Sequence, residues 1–397
     1  MIIAVGLALA CCAPLSAPAA QKTSAATQEA QAPVCRGEIA KPAEHLKPVK
    51  VTDGLYALRC TGNEPKDLMP YPPFQAADGR RPGGCATVVN GNLMGRNFDF
   101  IISNYPHFVV WTDAGKDHYA SIAVAAYPVS GSENPLSAPT DADYSKLDDP
   151  GLLARIPEMA LDGVNERGVA VSTLMVEALD THNTVKGTNP GKPEIGFLFV
   201  CRYVLDHAGS AREAAELLQK ANIVPKPVPL VLHWIISDGK DTFVVEVSED
   251  RVHVTDQHRV ITNYLLTKPQ YNPHPNGIER ADYLRRHREE AVTPDKMQAL
   301  MGAVRYSQTY SLDTEPFWWS EHYCVGEDHD FNITTRHDDP AFQAYINKLV
   351  EAAKVVTPTS NPDIIWDTTY NTVYEIAQKA MRITLHERFG EYFKAKL

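Results

Sequence analysis

The sequence predicts an α+β protein with layered, mainly antiparallel sheets, and three features carry that reading. Strand-like and helix-like stretches come in blocks, strands, then helices, then strands, rather than in strict alternation. Asn90-Gly91 and Asp238-Gly239-Lys240 mark hairpins between apolar runs. Of the 397 residues 44% are hydrophobic and 22% charged, which supplies a large core and argues against wholesale disorder.

The elements follow in order. Met1–Leu15 is almost wholly apolar and Ala-Pro-Ala-Ala-Gln comes next, so residues 1–20 read as a secretory signal. No Lys or Arg precedes the apolar run, which departs from the usual signal. Leu7-Ala8-Leu9-Ala10-Cys11 resembles a lipoprotein box, imperfectly, which makes Cys11 or Cys12 a candidate lipid carrier. The expected location is outside the cytoplasm, periplasmic or extracellular, with a membrane anchor if a lipid is attached. Residues 21–34 are rich in Ala, Gln, Thr and Ser and read as a disordered tether. Residues 35–84 are rich in Pro, Lys and Asp, carry one strand-like stretch at Gly54–Arg59, and end in the breaker run Asp78–Gly84, a place accessible to cleavage.

Cys85–Val89 reads as a strand and Asn92–Phe100 as its return. A two-residue loop at 90–91 would pair Val89 with Asn92 and Cys85 with Arg96, about 5 Å apart at Cβ on one face. Asp99 would then turn to the other face unless a bulge brought it round. Strands are expected at Phe108–Trp111 and Ser121–Ala126, a long polar loop at Pro128–Gly151, a turn at Gly163–Gly168 and a strand at Val169–Val176. Helices are expected at Ile195–His207 and Ala211–Ala221, strands at Pro229–Ser237, Thr242–Ser248 and His253–Asn263, and helices at Gly277–Glu290 and Asp295–Val304. Thr368–Phe393 reads as two strands around Ala377-Gln378-Lys379.

Lys plus Arg number 38 and Asp plus Glu 49, a net charge of −11. That balance disfavours nucleic acid as a partner. There is no polybasic segment for anionic membranes and no apolar run of the roughly 18–20 residues that span one. Two of the seven cysteines fall in the signal, which leaves Cys35, Cys60, Cys85, Cys201 and Cys324. An odd number in an exported chain suggests pairs plus one free thiol, and the pairing cannot be read from sequence.

The chemistry centres on Gly84-Cys85 and Gly95-Arg96-Asn97-Phe98-Asp99. A nucleophilic thiol needs a nearby cation and a base, and Arg96 supplies the cation. If the bond between Gly84 and Cys85 is cut, the freed α-amine becomes the base. An α-amine titrates at about 7.7 and a thiol at about 8.5, so proton transfer between them is nearly balanced near neutrality. Asp99 would orient that amine. The plain alternative is a buried or disulfide-bonded Cys85 beside an Arg96 engaged in an ordinary ion pair.

The order of further motifs tilts the balance. Cys85 with Gly95-Arg96-Asn97-x-Asp99, the segment Leu161–Val171 around Asp162-Gly163-Val164-Asn165-Glu166-Arg167-Gly168, the strands Leu232–Asp238 and Val244–Glu246, Thr262-Asn263-Tyr264, Arg280 and Val373-Tyr374-Glu375 together resemble the choloylglycine hydrolase family. That family includes bile salt hydrolases, penicillin V acylases and acid ceramidase-like linear amide C–N hydrolases. The resemblance covers about residues 85–397. It implies a four-layer αββα N-terminal-nucleophile fold with two stacked sheets, and residues 35–84 as a pro-segment removed or nicked by self-cleavage. Cys85 is then the nucleophile, its amine the base, Arg96 the neighbour of the thiol, Asp99 the amine's contact, Asn263 a side-chain oxyanion donor, the backbone N–H of Met175 a second donor, and Arg280 part of the polar cluster. Met175 stands where bile salt hydrolases carry Asn, which weakens a bile-salt reading. The interval from Cys85 to Arg96 is also shorter than in most relatives, and the tight Asn90-Gly91 turn accounts for it.

The activity implied is hydrolysis of a linear amide through a Cys85 acyl-enzyme, on an N-acyl amino acid or N-acyl amine. A bile salt hydrolase or penicillin V acylase is the alternative within the class, and a disulfide-stabilised exported binding protein the alternative outside it. The partner is a small amide with an apolar acyl group, for which Phe100, Ile101, Tyr105, Phe108, Leu152, Leu153 and Met175 are candidate walls. Relatives are often multimeric, which leaves room for a homo-oligomer. No cofactor is implied. Glu327-Asp328-His329-Asp330 with His337-Asp338-Asp339 reads as a solvated acidic loop rather than a metal site. Trp318-Trp319 reads equally as pocket wall or core.

Overall fold

The computed structural model describes residues 32–62, 85–101, 106–126, 147–176, 185–225, 231–268, 275–311, 318–324, 330–336 and 364–397. The signal at 1–20, most of the tether, Gly84, Tyr105, most of the polar loop at 128–151 and the acidic stretches 327–329 and 337–339 lie outside them.

Among the described residues the strands begin before Cys85, with β1 Val34–Ile39, β2 Val49–Thr52 and β3 Leu55–Cys60. Then come β4 Ala86–Asn90, β5 Leu93–Ile101, β6 His107–Thr112, β7 Ser121–Ala126, β8 Ala160–Asn165, β9 Ala170–Val176, β10 Glu194–Gly196 and β11 Asn222–Val224. The middle holds β12 Val231–Ser237, β13 Thr242–Ser248, β14 Arg251–Thr255 and β15 Val260–Ile261. The last part holds β16 Tyr306–Ser311, β17 Trp318–Cys324, β18 Asp330–Arg336, β19 Ile364–Glu375, β20 Ala380–Leu385 and β21 Glu391–Lys396. The helices are α1 Pro150–Leu153, α2 Val200–His207, α3 Ala211–Lys220, α4 Pro275–His287 and α5 Pro294–Gly302.

Two large sheets result. One has nine strands in the order β14-β13-β12-β9-β8-β7-β6-β3-β2. The other has ten, built on β19, which pairs with β5 along Trp366–Glu375 and with β20 along Tyr370–Glu375. Strand alternation sends successive side chains to opposite faces, and the core divides accordingly. Met94, Tyr370 and Tyr374 of the ten-stranded sheet meet Val109, Ile122, Leu174 and Val244 of the nine-stranded sheet. The outer face of the nine-stranded sheet is covered by α2 and α3, with Val204, Leu205 and Leu218 against Val171, Trp234 and Val245. The outer face of the ten-stranded sheet is covered by α4 and α5, with Leu284, Met297 and Met301 against Ala86, Val88 and Val373. Helix layer, two sheets and helix layer form the αββα arrangement that the family resemblance implies. The pairs within both sheets are antiparallel except β1 with β21 and β3 with β6.

Several local expectations are corrected. The helix expected at 195–207 opens as β10 and a 3-10 turn before α2 begins at Val200. The turn expected from Gly163 is strand as far as Asn165, whose side-chain oxygen accepts from the Arg167 and Val169 N–H groups while its amide donates to the Leu205 and Ala208 carbonyls. One Asn thus closes the turn and caps the end of α2. The strand expected at 253–263 is interrupted between β14 and β15, and the C-terminal pair gains a third strand, β21. Residues 34–60 supply three strands where one was expected.

The hairpin register also differs. Asn90 pairs with Leu93, so the loop is Gly91–Asn92. Gly91 sits at φ 53° and Asn92 is not left-handed, the type II′ pattern that glycine in the first central place favours. The turn moves on by one residue, which shifts the pairing by two, so faces are preserved. Thr87, not Cys85, lies opposite Arg96, and Cys85 falls diagonal to it, a relation worth about 7–8 Å between Cβ atoms.

What ties the two sheets together is polar as well as apolar. Tyr370, Thr372 and Tyr374 alternate along β19 and donate their hydroxyls to Asp162 of β8. Arg96 of β5 lies 2.9 Å from the same carboxylate. Thr87 and Ser172 add a hydroxyl pair at 2.9 Å. Because Arg96 and Asp162 are both fully buried, Asp162→Asn leaves an unpaired charge inside and should cost about 3–5 kcal/mol, read as the shift in denaturant unfolding free energy.

Candidate active site

The ends of four elements converge on Cys85, which immediately precedes β4. Cys85, Arg96, Asp99, Asn263 and Arg280 come together, none more than 3% exposed. Arg280, from α4, is the hub. Its Nη1 donates to Asp99 Oδ2 at 2.8 Å and to the Val304 carbonyl at 3.2 Å. Its Nη2 donates to the Cys85 carbonyl at 3.0 Å and to Asn263 Oδ1 at 3.2 Å. A fork-shaped guanidinium suits this task, because it fixes several acceptors in one plane.

Asp99 lies on the opposite face of β5 from Arg96, as strict pleating requires. No bulge in β5 brings it round; the irregularity lies on the neighbouring strand, where β19 gains a residue between Thr368 and Tyr370, opposite Asp99 and Phe98. Thr368 then donates to Asp99 Oδ1 at 2.7 Å. The Cys85 Sγ lies 4.0 Å from the Asp99 carbonyl. Arg96 reaches toward β8 and β9 rather than bonding the sulfur: Nη2 donates to the Thr173 carbonyl at 2.8 Å, and Nη1 to the Tyr370 hydroxyl. Its guanidinium carbon also sits 4.8 Å from the Phe98 ring centroid. Arg96 therefore acts on the thiol through its field.

Asn263 follows β15. Its Nδ2 donates to the Met175 carbonyl at 2.7 Å, which brings the side chain at 263 and the backbone at 175 side by side. The second amide hydrogen of Nδ2 is not used by that bond. The chain after Asn263 is pinned by Glu246 of β13. Its carboxylate accepts from the Leu266 N–H at 2.7 Å, the Thr267 N–H at 3.0 Å and the Thr267 hydroxyl at 2.8 Å, and His233 Nδ1 lies 3.3 Å away. Burial alone would raise the Glu246 pKa, but His233 and the two backbone N–H groups outweigh it and hold the carboxyl below its ordinary value.

The electrostatics balance. Two buried cations, Arg96 and Arg280, face two buried carboxylates, Asp162 and Asp99. Burial pushes the Cys85 thiol above its ordinary value, with Asp99 adding to the rise and Arg96 and Arg280 opposing it. Burial therefore favours the neutral thiol. Burial opposes the charge on Arg96, but Tyr370 and Asp162 outweigh it and keep the guanidinium charged.

Asp162, Glu246, Thr368 and Tyr370 are site residues that the sequence reading does not name as such. Asp162 and Glu246 had a signal, a carboxylate amid apolar strand residues; Tyr370, Thr372 and Tyr374 had their alternation. The candidate acyl wall is scattered. Phe108 and Leu153 pack in a cluster with Leu58, Cys60, Val110 and Ile156, apart from the intersheet cluster that holds Cys85. Alternation explains this for Phe108, since its neighbours Val109 and Trp111 take the intersheet face. The half-buried Met175 side chain packs toward the α2 and α3 layer. Phe100, Ile101 and Leu152 have no described side chains, and Tyr105 lies outside the described residues. Phe98, stacked on Tyr370 with ring centroids 5.0 Å apart, shares the intersheet face with Cys85, as do Tyr370 and Tyr374. No group of three or more metal-ligating side chains occurs among the described residues.

Comparison with known proteins adds the following. A family profile described as linear amide C–N hydrolases, choloylglycine hydrolase family, matches residues 87–305, more than half of the chain. A bile salt hydrolase/transferase of Bifidobacterium longum is 29% identical over 126 residues, 30% of this chain and 38% of that protein. One of Clostridium perfringens is 34% identical over 110 residues, 26% of this chain and 32% of its own length. The matched stretch thus spans about a third of these relatives. Among solved structures, penicillin V acylase from Agrobacterium tumefaciens aligns at 16% identity and TM-score 0.36, over 76% of this chain and 82% of its own. A point mutant of conjugated bile acid hydrolase from Clostridium perfringens aligns at 16% identity and TM-score 0.37, over 76% of this chain and 89% of its own.

Two outcomes follow from the site. Glu246→Gln loosens the segment after Asn263 without touching a bound amide, so kcat should fall by about tenfold or more while KM changes little. Removing an oxyanion donor itself costs about 10²–10³-fold. Steady-state kinetics on one amide series reads the split. Stability should also fall in alkali. Cys85 and Cys201 are raised above 9.0 by burial, and Tyr370 and Tyr374 well above 10.0 by burial together with Asp162. Groups that hold their protons more tightly when folded contribute fully below the unfolded value and lose that contribution as pH rises past it. The urea midpoint should therefore drop as pH passes 9.0 and again past 10.0.

Proposed function

The chain belongs to the choloylglycine hydrolase family of linear amide C–N hydrolases, and on that premise we propose that it is an exported, self-processed amidase with Cys85 as nucleophile. Its reaction class is hydrolysis of a non-peptide C–N bond in a linear amide. The observation that carries the rest is the reach of Arg280, which links the Cys85 carbonyl, Asp99 and Asn263 in one hydrogen-bonded set.

Maturation begins when the Cys85 thiol attacks the Gly84 carbonyl. The acyl group moves from nitrogen to sulfur, and water hydrolyses the thioester, leaving a Gly84 carboxylate and a free Cys85 amine. That amine takes the thiol proton. The resulting ammonium and thiolate sum to zero charge, so the balance of two cations and two carboxylates around them is undisturbed. Thiolate attack on the substrate carbonyl produces an oxyanion, received by the Asn263 amide and the Met175 N–H. The ammonium protonates the leaving amine as the C–N bond breaks. Water, activated by the amine, then cleaves the acyl-enzyme and releases the acid.

The substrate we favour is an N-acyl amino acid or N-acyl amine with an apolar acyl group. Met175, where bile salt hydrolases carry Asn, favours this over a bile salt. Phe98 shares the face of Cys85 and is a candidate contact for the acyl chain. Export rests on the apolar start and small residues of the first twenty positions, with Cys11 or Cys12 as lipid carriers if the chain is anchored.

Purified protein should hydrolyse acyl amides in an assay panel of N-acyl amino acids, N-acyl amines, conjugated bile salts and penicillin V. Cys85→Ala should stay folded and lose turnover by about 10⁴-fold or more, as removal of a covalent nucleophile does. Undiminished turnover in that variant would refute the thiol mechanism, and a preference for bile salts or penicillin V would move the substrate assignment to the alternative.

A further inference from the structure

We propose that Thr368 is a positioning residue of the cut enzyme, whose hydroxyl fixes the Asp99 carboxylate in the attitude that receives the Cys85 amine. The proposal rests on the cleavage reading above and deepens it, because it names what aims Asp99.

Arg280 holds one oxygen of that carboxylate. Its Nη1 donates to Asp99 Oδ2 at 2.8 Å. A carboxylate held by one oxygen can still turn about its last torsion, whose preferences are broad in aspartate. Thr368 holds the other oxygen, donating to Oδ1 at 2.7 Å. The direction of that bond is fixed. A threonine hydroxyl has one proton, and Thr368 Oγ1 already accepts from the Tyr306 N–H at 3.2 Å. Thr368 is fully buried, so water does not compete for the proton. Asp99 is ion-paired to Arg280 and has no proton to give. The hydroxyl proton therefore goes to Asp99, and the carboxylate is clamped at both oxygens.

A break in the strand period puts Thr368 there. Residues two apart on a strand share a face. Tyr370 uses the intersheet face, where it donates to Asp162 at 2.6 Å. A regular β19 would send Thr368 the same way. The extra residue between them reverses it, so that Thr368 pairs with Asp99 while Tyr370 pairs with Phe98. One strand thus serves both carboxylates, Asp162 across the sheets and Asp99 on the helix side.

The bulge is held from outside the site. Leu385–Arg388 turns β20 toward β21, closed by the Arg388 N–H to the Leu385 carbonyl at 3.2 Å. Its two central residues, His386 and Glu387, are both left-handed, at φ 49° and 57°. Two positive φ values in succession are the type I′ pattern, which favours Asn and Gly. His386 and Glu387 therefore carry backbone strain. What the strained turn presents is its N–H groups. His386 donates to the Thr369 carbonyl at 3.0 Å and Glu387 to the Thr368 carbonyl at 3.2 Å. Thr368 and Thr369 are at most 2% exposed, which leaves their carbonyls dependent on such donors. The turn thereby fixes the bulge, and the bulge keeps the Thr368 hydroxyl on the side of Asp99.

The test keeps the full chain. A site-specific protease sequence replaces residues 78–84, so that every variant can be cut completely before Cys85, as N-terminal analysis confirms. Thr368→Val, Thr368→Ala and Thr368→Ser are compared with the parent on the best amide of the panel above, before and after cutting, and unfolding curves establish that each is folded. Loss of the hydroxyl should lower kcat of the cut enzyme by about tenfold or more in the Val and Ala variants. KM should stay within about twofold, because no substrate contact is removed. Thr368→Ser keeps the donor and should recover most of kcat. A merely structural role would make the loss follow stability instead of the hydroxyl. A kcat within about twofold of the parent in the Val or Ala variant overturns the proposal, as does a loss that Thr368→Ser does not recover. Equal turnover of the parent before and after cutting refutes the cleavage reading and takes the proposal with it. Turnover that needs the cut but ignores Thr368 refutes the proposal alone.

Discussion

Burying two guanidinium groups is the constraint on which the rest of this site depends. Arg96 and Arg280 have no exposure, and an unpaired charge there would cost several kcal/mol. Each is therefore given a carboxylate, Asp162 and Asp99, and those pairings dictate the surroundings. Asp162 lies on the opposite sheet from Arg96, so satisfying one cation fixes the separation and register of the two sheets. Asp99 is on the helix-facing side of β5, so satisfying the other docks α4 against the hairpin. Cys85 stands where the two pairs meet.

The same constraint bears on the proposed chemistry, in which Cys85 is inert before the cut and nucleophilic after it. Around an uncut Cys85 the fixed charges already cancel, and burial keeps the thiol protonated. The proposed cut would add a base without adding net charge, because the proton it accepts would come from the thiol beside it. The proposed oxyanion side is held by separate means. Asn263 is oriented by Arg280 on one atom and by the Met175 carbonyl on the other, and the segment that follows it is anchored by Glu246. Preorganised donors of this kind spend no reorganisation during the reaction.

Much of this was legible in the sequence, and the reasons differ from residue to residue. The Asn-Gly turn and the two-residue period placed Cys85 and Arg96 on a common face, and a register slip preserved that face while moving Arg96 opposite Thr87. Asn263 and Arg280 were named from the order of motifs along the chain, not from local pattern, since a Thr-Asn pair or a helical Arg has many ordinary explanations. Of the strands before Cys85, β1 was missed because its partner β21 lies far away in sequence and pairs in parallel, which leaves no hairpin signal, whereas β2 pairs antiparallel with β3 across Asp53-Gly54, a hairpin signal the reading passed over. Phe108 was misplaced as an acyl wall for a simpler reason: on a strand buried on both faces, apolar character does not say which way a side chain points. Asp162 and Glu246 stood in quoted motifs, but nothing local distinguishes an anchoring carboxylate from a reacting one.

The central claim is that the bond before Cys85 is broken and that the freed amine serves the thiol. N-terminal sequencing with intact mass, on wild-type protein showing amide turnover, tests it most directly. We expect a chain beginning at Cys85, present in proportion to activity. A fully active protein in which Gly84 remains bonded to Cys85 would contradict it.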